Sequence, residues 1–328
     1  MLPAGGSATA MSQYLTLHEE PGRLRRPVII LAFSGWNDAA ESATTAARYL
    51  SQVWSSRPLA TIDPEDFYHF GLSRPYVRFK PGSRTEREVV WPATEFSVAQ
   101  PTELERDIVV GVAIEPHLKW RTYCAAVLEL ARRSGASLVL TLGALLAEVA
   151  HTRPVKLSGS SHDQELSARL GLRPSRYEGP TGIVGVLNVL CREASMPTAS
   201  LWANVPHYVS GIENPRAALA LVRRVLSLLN TEADLTDLRE AAEQFDQNLS
   251  SIVAQNVKIS EYVRKLESKN PDEESEPVEA VEDPEAEVSA EASDVAEAME
   301  GKDELPPSAD LVAEIEQFLR QQQRPENP

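Results

Sequence analysis

The stretch VIILAFSGWNDAAES, residues 28–42, decides the fold because it passes from strand to turn to helix within a few positions. Its first six residues are apolar without interruption, which predicts a strand buried on both faces. Its last residues open an alanine-rich segment, which predicts a helix over about residues 38–54. Between them Gly35 supplies a tight turn. A buried strand that runs through a short turn into a helix is the building unit of α/β proteins.

The turn itself allows three interpretations. Asp38 followed by Glu41 has the Asp-x-x-Glu spacing of a capping box, which favours a helix cap. A phosphate cradle is less supported, because the turn has one glycine and neither a glycine-rich run nor a lysine. Ser34 as a nucleophile is less supported again, because it lacks the flanking glycines of the esterase elbow. We therefore expect a capped turn.

The same alternation of strand and helix continues to about residue 230. The segment 66–91 interrupts it, and its prolines and glycine predict an irregular excursion that ends in a strand. Buried strands separated by helices predict a mainly parallel sheet with helices on both faces. The fold class is therefore α/β, as a three-layer α/β/α sandwich. The predicted strands are 28–33, 59–62, 88–91, 108–114, 138–142 and 200–203, and the later helices are 119–133, 163–170, 181–193 and 215–229.

Charge divides the chain into a neutral body and an acidic end. Of the 48 acidic and 32 basic residues, 19 acidic and 3 basic ones lie in residues 271–328, so the remainder carries 29 of each. A neutral body without a basic stripe predicts no nucleic-acid partner. The acidic segment is too poor in apolar residues to fold, which predicts disorder. An exception is 308–320, where Leu311, Val312, Ile315, Phe318 and Leu319 share one face of a short amphipathic helix, which is either a docking peptide or a frayed end.

Four segments follow from these patterns. We predict a flexible N-terminus at 1–19, the α/β/α domain at 20–230, a C-terminal helical segment at 231–269 and the acidic tail at 270–328. No run approaches the roughly 20 apolar residues that a membrane-spanning helix needs, so no membrane partner is predicted. The first 26 residues hold no continuous apolar segment, so no secretory signal is predicted. The two cysteines, Cys124 and Cys191, fit a cytoplasmic protein with free thiols.

The helical segment 231–269 carries apolar residues at alternating spacings of three and four, which is a heptad pattern. One interpretation is a long helix or helical hairpin packed on the body. The other is a subunit contact, which predicts a homo-oligomer, with a trimer as one candidate size. The residues that we assign to this oligomer seam are Leu249, Ile252, Asn256 and Ile259.

Polar side chains gather in the loops that follow the predicted strands, where open α/β sheets bind ligands. Three of the six histidines lie in these loops. A shared rim of this kind could act as an acid–base site, an anion site or a partner surface. Each loop also has a structural explanation, in caps, turns and carbonyl contacts. The rim residues are Ser34, Trp36, Asn37, Asp38, Glu115, His117, His151, Arg153, Tyr177, Glu178, His207 and Tyr208.

No metal-binding, nucleotide-binding or dinucleotide-binding motif accompanies the rim. HExxH, CxxC, P-loop and Rossmann patterns are all missing from the sequence. We therefore predict no catalytic residue, no metal and no cofactor.

Five motifs in order carry a resemblance: IILAFSGWNDAAE, TIDPEDFYHF, TLGALLAEVAHTRPV, YEGPTGIVGVL and WANVPHYV. Together they resemble the proteasome assembly chaperone 2 family, in its actinobacterial branch, over about residues 14–268. The resemblance implies an α/β/α sandwich similar to the phosphorylase/hydrolase-like class. It also implies a non-enzymatic role, because the family's eukaryotic and archaeal relatives bind proteasome α-subunits and assist assembly of the core ring.

Two hypotheses about function remain at this point. The first is a non-enzymatic assembly chaperone that binds proteasome subunits or a related complex. The second is a small-molecule-binding protein or enzyme of phosphorylase/hydrolase-like fold that uses the His/Arg/Glu rim. Copurified proteasome subunits would favour the first, and a bound metabolite would favour the second.

Overall fold

The computed structural model describes residues 13–172 and 177–268. Within these residues, strands and helices alternate along most of the chain. The strands are β1 (Leu15–Leu17), β2 (Val28–Ser34), β3 (Arg57–Ile62), β4 (Tyr76–Phe79), β5 (Arg87–Val90), β6 (Thr94–Ala99), β7 (Ile108–Ile114), β8 (Leu138–Ala147), β9 (Leu157–Ser160) and β10 (Thr198–Pro206). The helices are α1 (Ser42–Val53), α2 (Trp120–Arg133), α3 (Gln164–Leu170), α4 (Ile183–Glu193), α5 (Pro215–Leu229), α6 (Thr236–Gln255) and α7 (Val257–Ser268).

Eight strands form one sheet in the order β1-β3-β6-β7-β2-β8-β10-β9. The four central strands β7, β2, β8 and β10 run parallel, which confirms the parallel sheet predicted from their unbroken apolar runs. The outer strands differ, because β1, β3 and β6 pair antiparallel on one side and β9 pairs antiparallel on the other. The sheet is therefore mixed, with a parallel centre and antiparallel margins.

The pleat of β2 accounts for the three layers. Successive side chains of a strand point to opposite faces, so a run of apolar residues supplies two cores at once. Ile29, Leu31 and Phe33 pack against α2 and α4 on one face. The intervening residues, from Val28 to Ala32, pack against α1 and α5 on the other face. The α/β/α sandwich predicted from the sequence is thereby confirmed.

The helix after β2 begins later than predicted. Residues 39–41 form a 3-10 turn, and Ala40 and Glu41 have φ angles of 52° and 50°. Residues with a Cβ rarely adopt this left-handed backbone conformation, and a right-handed helix cannot run through it. The α-helix therefore starts at Ser42 instead of residue 38.

The excursion at 66–91 contains more order than its prolines indicate. It holds both β4 and β5, which pair antiparallel with each other and belong to no other sheet among the described residues. Only the second of these strands was expected. Each is four residues long, and the turn at Pro81-Gly82 between them obscures the hairpin pattern.

The C-terminal segment is a pair of helices that break at Asn256, whose backbone is extended (φ −119°, ψ 111°). The Asn256 side chain accepts a hydrogen bond from the backbone N–H of Lys258 at 3.1 Å, which caps the start of α7. Leu249, Ile252 and Ile259 are buried in a third core with the chain's own Tyr208 and Val209. This arrangement matches the interpretation of a helical hairpin packed on the body. The subunit-contact role of the seam stays a prediction, and it would require these side chains to leave that core.

The N-terminal end of the fold begins earlier than predicted. Strand β1 pairs with β3, so the sheet includes residues 15–17, which lie inside the predicted flexible segment 1–19. The predicted acidic disordered segment and the predicted helix at 308–320 lie outside the described residues. None of the described helices has the length and hydropathy to cross a membrane.

Candidate functional site

The rim residues do come to one edge of the sheet, because β7, β2, β8 and β10 are parallel and their carboxyl ends meet there. They do not form one site. We call the carboxyl ends of β2 and β7, with the loop before α4, the open half. We call the carboxyl ends of β8 and β10, with α6 and α7 packed over them, the covered half.

The open half is organised around the Glu115 carboxylate. Its Oε1 atom accepts hydrogen bonds from Asn37 Nδ2 at 2.7 Å and from the backbone N–H of Ile183 at 2.6 Å. The second bond satisfies a free N–H in the first turn of α4, and a negative charge at a helix N-terminus is electrostatically favourable. Gly182 makes the approach possible, because a Cβ there would lie 2.6 Å from atoms of both Asn37 and Glu115. Glu115 thus locks the ends of β2, β7 and α4 together.

Asp38 caps α1, but without the reciprocal bond of a capping box. Its carboxylate accepts the backbone N–H of Ala43 at 2.6 Å and the hydroxyl of Thr44 at 2.5 Å. The acceptors therefore reach residues five and six positions ahead, across the 3-10 turn, and the exposed Glu41 side chain does not close the box. Burial raises the pKa of Asp38, and the bonds from Thr44 and Ala43 oppose that rise. This carboxylate holds the helix start.

His117 lies at the outer side of the open half and contacts the loop after β3. Its backbone N–H donates to the carbonyl of Phe67 at 2.9 Å, and its Nδ1 accepts the backbone N–H of His69 at 3.1 Å. The ring packs edge-on against Tyr68. Neither nitrogen contact involves another rim residue, so His117 anchors a loop.

Three large apolar side chains are exposed on the open half. Trp36 is 54% exposed, Leu118 is 50% exposed and Tyr177 is 60% exposed. Trp36 and Leu118 follow the neighbouring strands β2 and β7, and Tyr177 precedes the helix that Glu115 caps. Glu178 is exposed beside Tyr177, and Ser34 is half-buried at the end of β2. Large exposed apolar side chains that group at one edge of a fold mark protein-binding surfaces.

The rim residues of the covered half form hydrogen bonds within the chain. Tyr208 Oη accepts the backbone N–H of His151 at 2.7 Å and lies 2.8 Å from His151 Nδ1. The Tyr208 hydroxyl therefore holds both the backbone and the imidazole of His151. Burial lowers the pKa of His151 to about 4, with the positive charge of Arg216 adding to the effect and Glu267 opposing it. His151 is thus a neutral, buried ring.

His207 connects the carboxyl end of β8 to α7. Its Nδ1 lies 3.3 Å from the carbonyl oxygen of Ala147, which can only accept, so Nδ1 carries the proton. Nε2 then accepts from the hydroxyl of Tyr262 at 3.2 Å. Burial raises the pKa of Tyr262 to about 12, so this phenol keeps its proton. The rings of His207, Tyr208 and Tyr262 pack edge-to-face with centroids 5.6 to 6.3 Å apart.

Arg153 also binds the C-terminal hairpin. Its guanidinium donates to the carbonyl of Glu267, near the end of α7. The hydroxyl of Thr152 donates to the Glu267 carboxylate at 2.6 Å. Arg153 in turn offers its own carbonyl to Arg216 at 2.7 Å. This rim side chain therefore fastens α7 to the loop after β8.

The space left beside these groups is small. A cavity of about 20 Å³ is lined by residues that include His151, Arg153 and Arg216. That volume holds about one water molecule, whereas small-molecule sites typically measure about 300–1,000 Å³. Among the described residues, no group of three or more His, Cys, Asp or Glu side chains is placed to hold a metal ion.

Three residues that complete these contacts were not predicted from the sequence. The role of Gly182 follows only from its missing Cβ, which leaves room for Asn37 and Glu115. Tyr262 and Glu267 lie on a helix that the heptad pattern assigned to the oligomer seam. A tyrosine within a heptad pattern gives no sign that it will meet a histidine more than fifty positions away. Only the packing of α7 on the sheet edge brings them together.

Comparison with known proteins agrees with this architecture. A model of the PAC2 family matches residues 32–253. A PAC2 family protein from Streptomyces avermitilis is 41% identical, with a TM-score of 0.67, covering 72% of this chain and 99% of that chain. A Mycobacterium tuberculosis protein described as a proteasome-assembly chaperone homologue is 40% identical, with a TM-score of 0.65 and the same coverage of both chains.

A more distant structure shows the fold alone. Pyrococcus furiosus PbaB, described as an archaeal proteasome activator, is 18% identical with a TM-score of 0.60, covering 73% of this chain and 97% of that chain. No curated protein matches the sequence. The two relatives near 40% identity come from actinobacteria, as the resemblance of the five motifs implied.

Proposed function

This chain belongs to the PAC2 family, and from that premise we propose that it is a non-enzymatic assembly chaperone that binds proteasome subunits or a related complex. The observation that carries the proposal is the division of the sheet edge. The covered half is filled by the chain itself, and the open half presents Trp36, Leu118 and Tyr177 to solvent around the hydrogen bonds of Glu115. A relative described as a proteasome-assembly chaperone homologue supports the choice of partner.

The alternative, a small-molecule protein or enzyme that uses the His/Arg/Glu rim, has less support. Its histidines lie in two separate groups, and His151 and Arg153 are engaged with the hairpin and with Tyr208. The cavity beside them has room for about one water molecule. No observation at the open half points to a reaction.

We extend the proposal to assembly and location. We propose a homo-oligomer, with a trimer as one candidate size, and sedimentation would then show a species larger than the 36.0 kDa chain. We propose a cytoplasmic location, which two free, buried thiols support. Burial raises the pKa of Cys124 to about 12 and that of Cys191 to about 11, so both stay protonated.

Copurification tests the function most directly. The tagged chain is expressed in its native host at moderate ionic strength, and proteasome α-subunits are expected among the bound proteins. Trp36→Ala with Leu118→Ala should reduce that capture about ten-fold or more, because exposed aromatic anchors dominate protein interfaces. Val257→Ala is the matched control, since Val257 is 72% exposed on α7, away from the open half.

Two results would contradict the proposal. The first is a preparation that captures no proteasome subunit but retains a small molecule through purification. The second is equal capture by the double variant and by the control. Thermal unfolding of each variant separates lost binding from lost structure, because exposed side chains change stability by only about 0.5 kcal/mol or less.

A further inference from the structure

The hairpin β4–β5, with its flanking residues, projects as an arm that we define as residues 74–91. Its two strands pair with each other and with no other described strand. All four residues of β4 are exposed, and those of β5 are exposed or half-buried. An isolated two-stranded hairpin is marginally stable in water, so one that stands clear of the body is expected to gain from a covering partner.

The two faces of the arm differ in character. Cross-strand partners share a face, and Val77 pairs with Val89 while Phe79 pairs with Arg87. This apolar face leaves Val77, Phe79 and Val89 about half exposed. The opposite face carries the ion pairs Arg78–Glu88 at 2.7 Å and Lys80–Glu86 at 3.0 Å. The apolar face is therefore the one that lacks cover.

The arm has an excess of positive charge next to that face. It holds five basic and two acidic residues, a net charge of +3. Both acids are used in the two ion pairs. Arg87 stacks over the Phe79 ring at 5.1 Å, on the apolar face itself, and forms no ion pair with a described residue. The surface thus suits a short apolar segment that also carries acids.

The chain contains a segment of that chemistry. Residues 308–320, SADLVAEIEQFLR, combine an apolar helical face with Asp310, Glu314 and Glu316 against one arginine, a net charge of −2. Helix-on-surface recognition uses apolar residues at this spacing, with charge around them. The arm and this segment are complementary in both apolar pattern and sign of charge.

Both partners start from the same edge of the sheet. The arm is rooted at the carboxyl end of β7, where Tyr68 Oη donates to the carbonyl of Ile114 at 2.8 Å and the Phe70 ring meets Trp91 at 4.9 Å. The described chain ends at α7, which Thr152 and Arg153 fasten to the carboxyl end of β8. One strand, β2, separates β7 from β8, a distance of roughly 10 Å.

The connection is long enough to reach. Roughly 40 residues join Ser268 to the segment, and each extended residue spans about 3.3 Å, so the available length far exceeds the separation of the two roots. Tethering also raises the local concentration of the segment to about the millimolar range, so a weak contact suffices. From these observations we propose that residues 308–320 bind the apolar face of the arm in the same chain. The contact does not depend on the identity of the proteasome partner.

Hydrogen exchange of the full chain tests this contact without truncation. Ile315→Asp with Phe318→Asp places two charges on the apolar face of the segment. Ala313→Asp with Gln317→Asp adds the same charge off that face and is the matched control. The described core clusters end at Leu266, so neither pair disturbs them. We expect amides of β4 and β5 to exchange at least about five-fold faster in the first variant than in the parent or the control.

A reciprocal variant identifies the surface. Phe79→Asp on the apolar face should speed exchange of amides in 308–320, whereas Tyr76→Asp on the opposite face should not. Equal arm exchange in the parent and the Ile315/Phe318 variant overturns the proposal. So does protection of 308–320 that persists in Phe79→Asp. Arm protection that rises over a roughly 50-fold range of protein concentration would assign the face to a second copy and overturn it as well.

Discussion

The open and covered halves of the sheet edge begin from the same kind of sequence and end with different roles. Each has polar and aromatic residues directly after parallel strands. In the covered half, His151 and Tyr208 bond to each other beneath α6 and α7. In the open half, Glu115 bonds inward to a helix start while Trp36 remains exposed. A histidine at the carboxyl edge of a sheet therefore indicates a site only when the chain does not cover that edge itself.

The largest expected effect separates the halves by stability. Leu249 is fully buried between the hairpin and the body, so Leu249→Ala leaves a cavity and should lower the free energy of unfolding by about 2–5 kcal/mol. Leu118→Ala in the open half removes the same atoms from an exposed position and should change it by about 0.5 kcal/mol or less. Urea denaturation measures both. Similar losses for the two variants would remove the distinction between the halves.

The next effect is a pH dependence that belongs to the covered half. The pKa of His151 is about 4 in the folded chain, below its ordinary value of 6.5. The unfolded chain therefore binds the extra proton between about pH 6.5 and pH 4, so stability falls as pH drops through that window and levels off below it. The loss attributable to His151 is up to about 3 kcal/mol.

Denaturation of the parent and of His151→Gln at several pH values isolates this contribution. The variant should start less stable near pH 7, because the Tyr208 hydroxyl loses its contact with the imidazole and keeps only the backbone N–H of residue 151. Its stability should fall less steeply between pH 6.5 and 4. Parallel slopes for the two proteins would show that the His151 ring is not held neutral by burial.

The central sheet was predictable because its signal is local. Short unbroken apolar runs such as 108–114 are typical of strands buried on both faces, and the structure places β7 at those residues. The strands β1 and β9 were missed because they are short edge strands without a continuous apolar run. Strand β6 lies inside the sheet between β3 and β7, but Thr94, Glu95 and Ser97 interrupt its apolar residues, so no continuous run marks it either. The rim residues were also found from local position, but their separation into two halves depends on where α6 and α7 pack. That packing follows from contacts between distant residues, such as Tyr262 with His207, which a local pattern does not contain.

A smaller effect probes the base of the open half. In Gly182→Ala the new Cβ would meet Asn37 and Glu115 at 2.6 Å, and both side chains are held by hydrogen bonds. We expect a loss of about 1–3 kcal/mol in the free energy of unfolding, from crowding and a weakened cap on α4. The backbone of Gly182 is not the cause, because its φ of −84° suits any residue.

Gly179→Ala is the control for that measurement. Its Cβ would meet the hydroxyl of Tyr177, which donates to the carbonyl of Pro180 at 2.8 Å in an exposed position. Water can replace a displaced exposed hydrogen bond, so the loss of stability should be smaller than in Gly182→Ala. A loss in Gly179→Ala as large as that in Gly182→Ala would show that the loop before α4 is sensitive throughout, and that Glu115 has no special part in it.

The smallest expected effect tests whether the helical hairpin formed by α6 and α7 opens as a unit. Tyr262→Phe removes only the hydroxyl that donates to His207 Nε2, and one such bond contributes about 0.5–1.5 kcal/mol. Because Tyr262 lies on α7, the loss should appear as local opening: amides of α6 and α7 should exchange about two- to ten-fold faster, while those of α1 keep their protection. Tyr76→Phe, on the exposed arm, should change neither set. Faster exchange in α1 as well would mean that the helical hairpin and the sandwich unfold together. The covered half would then be an inseparable part of the core.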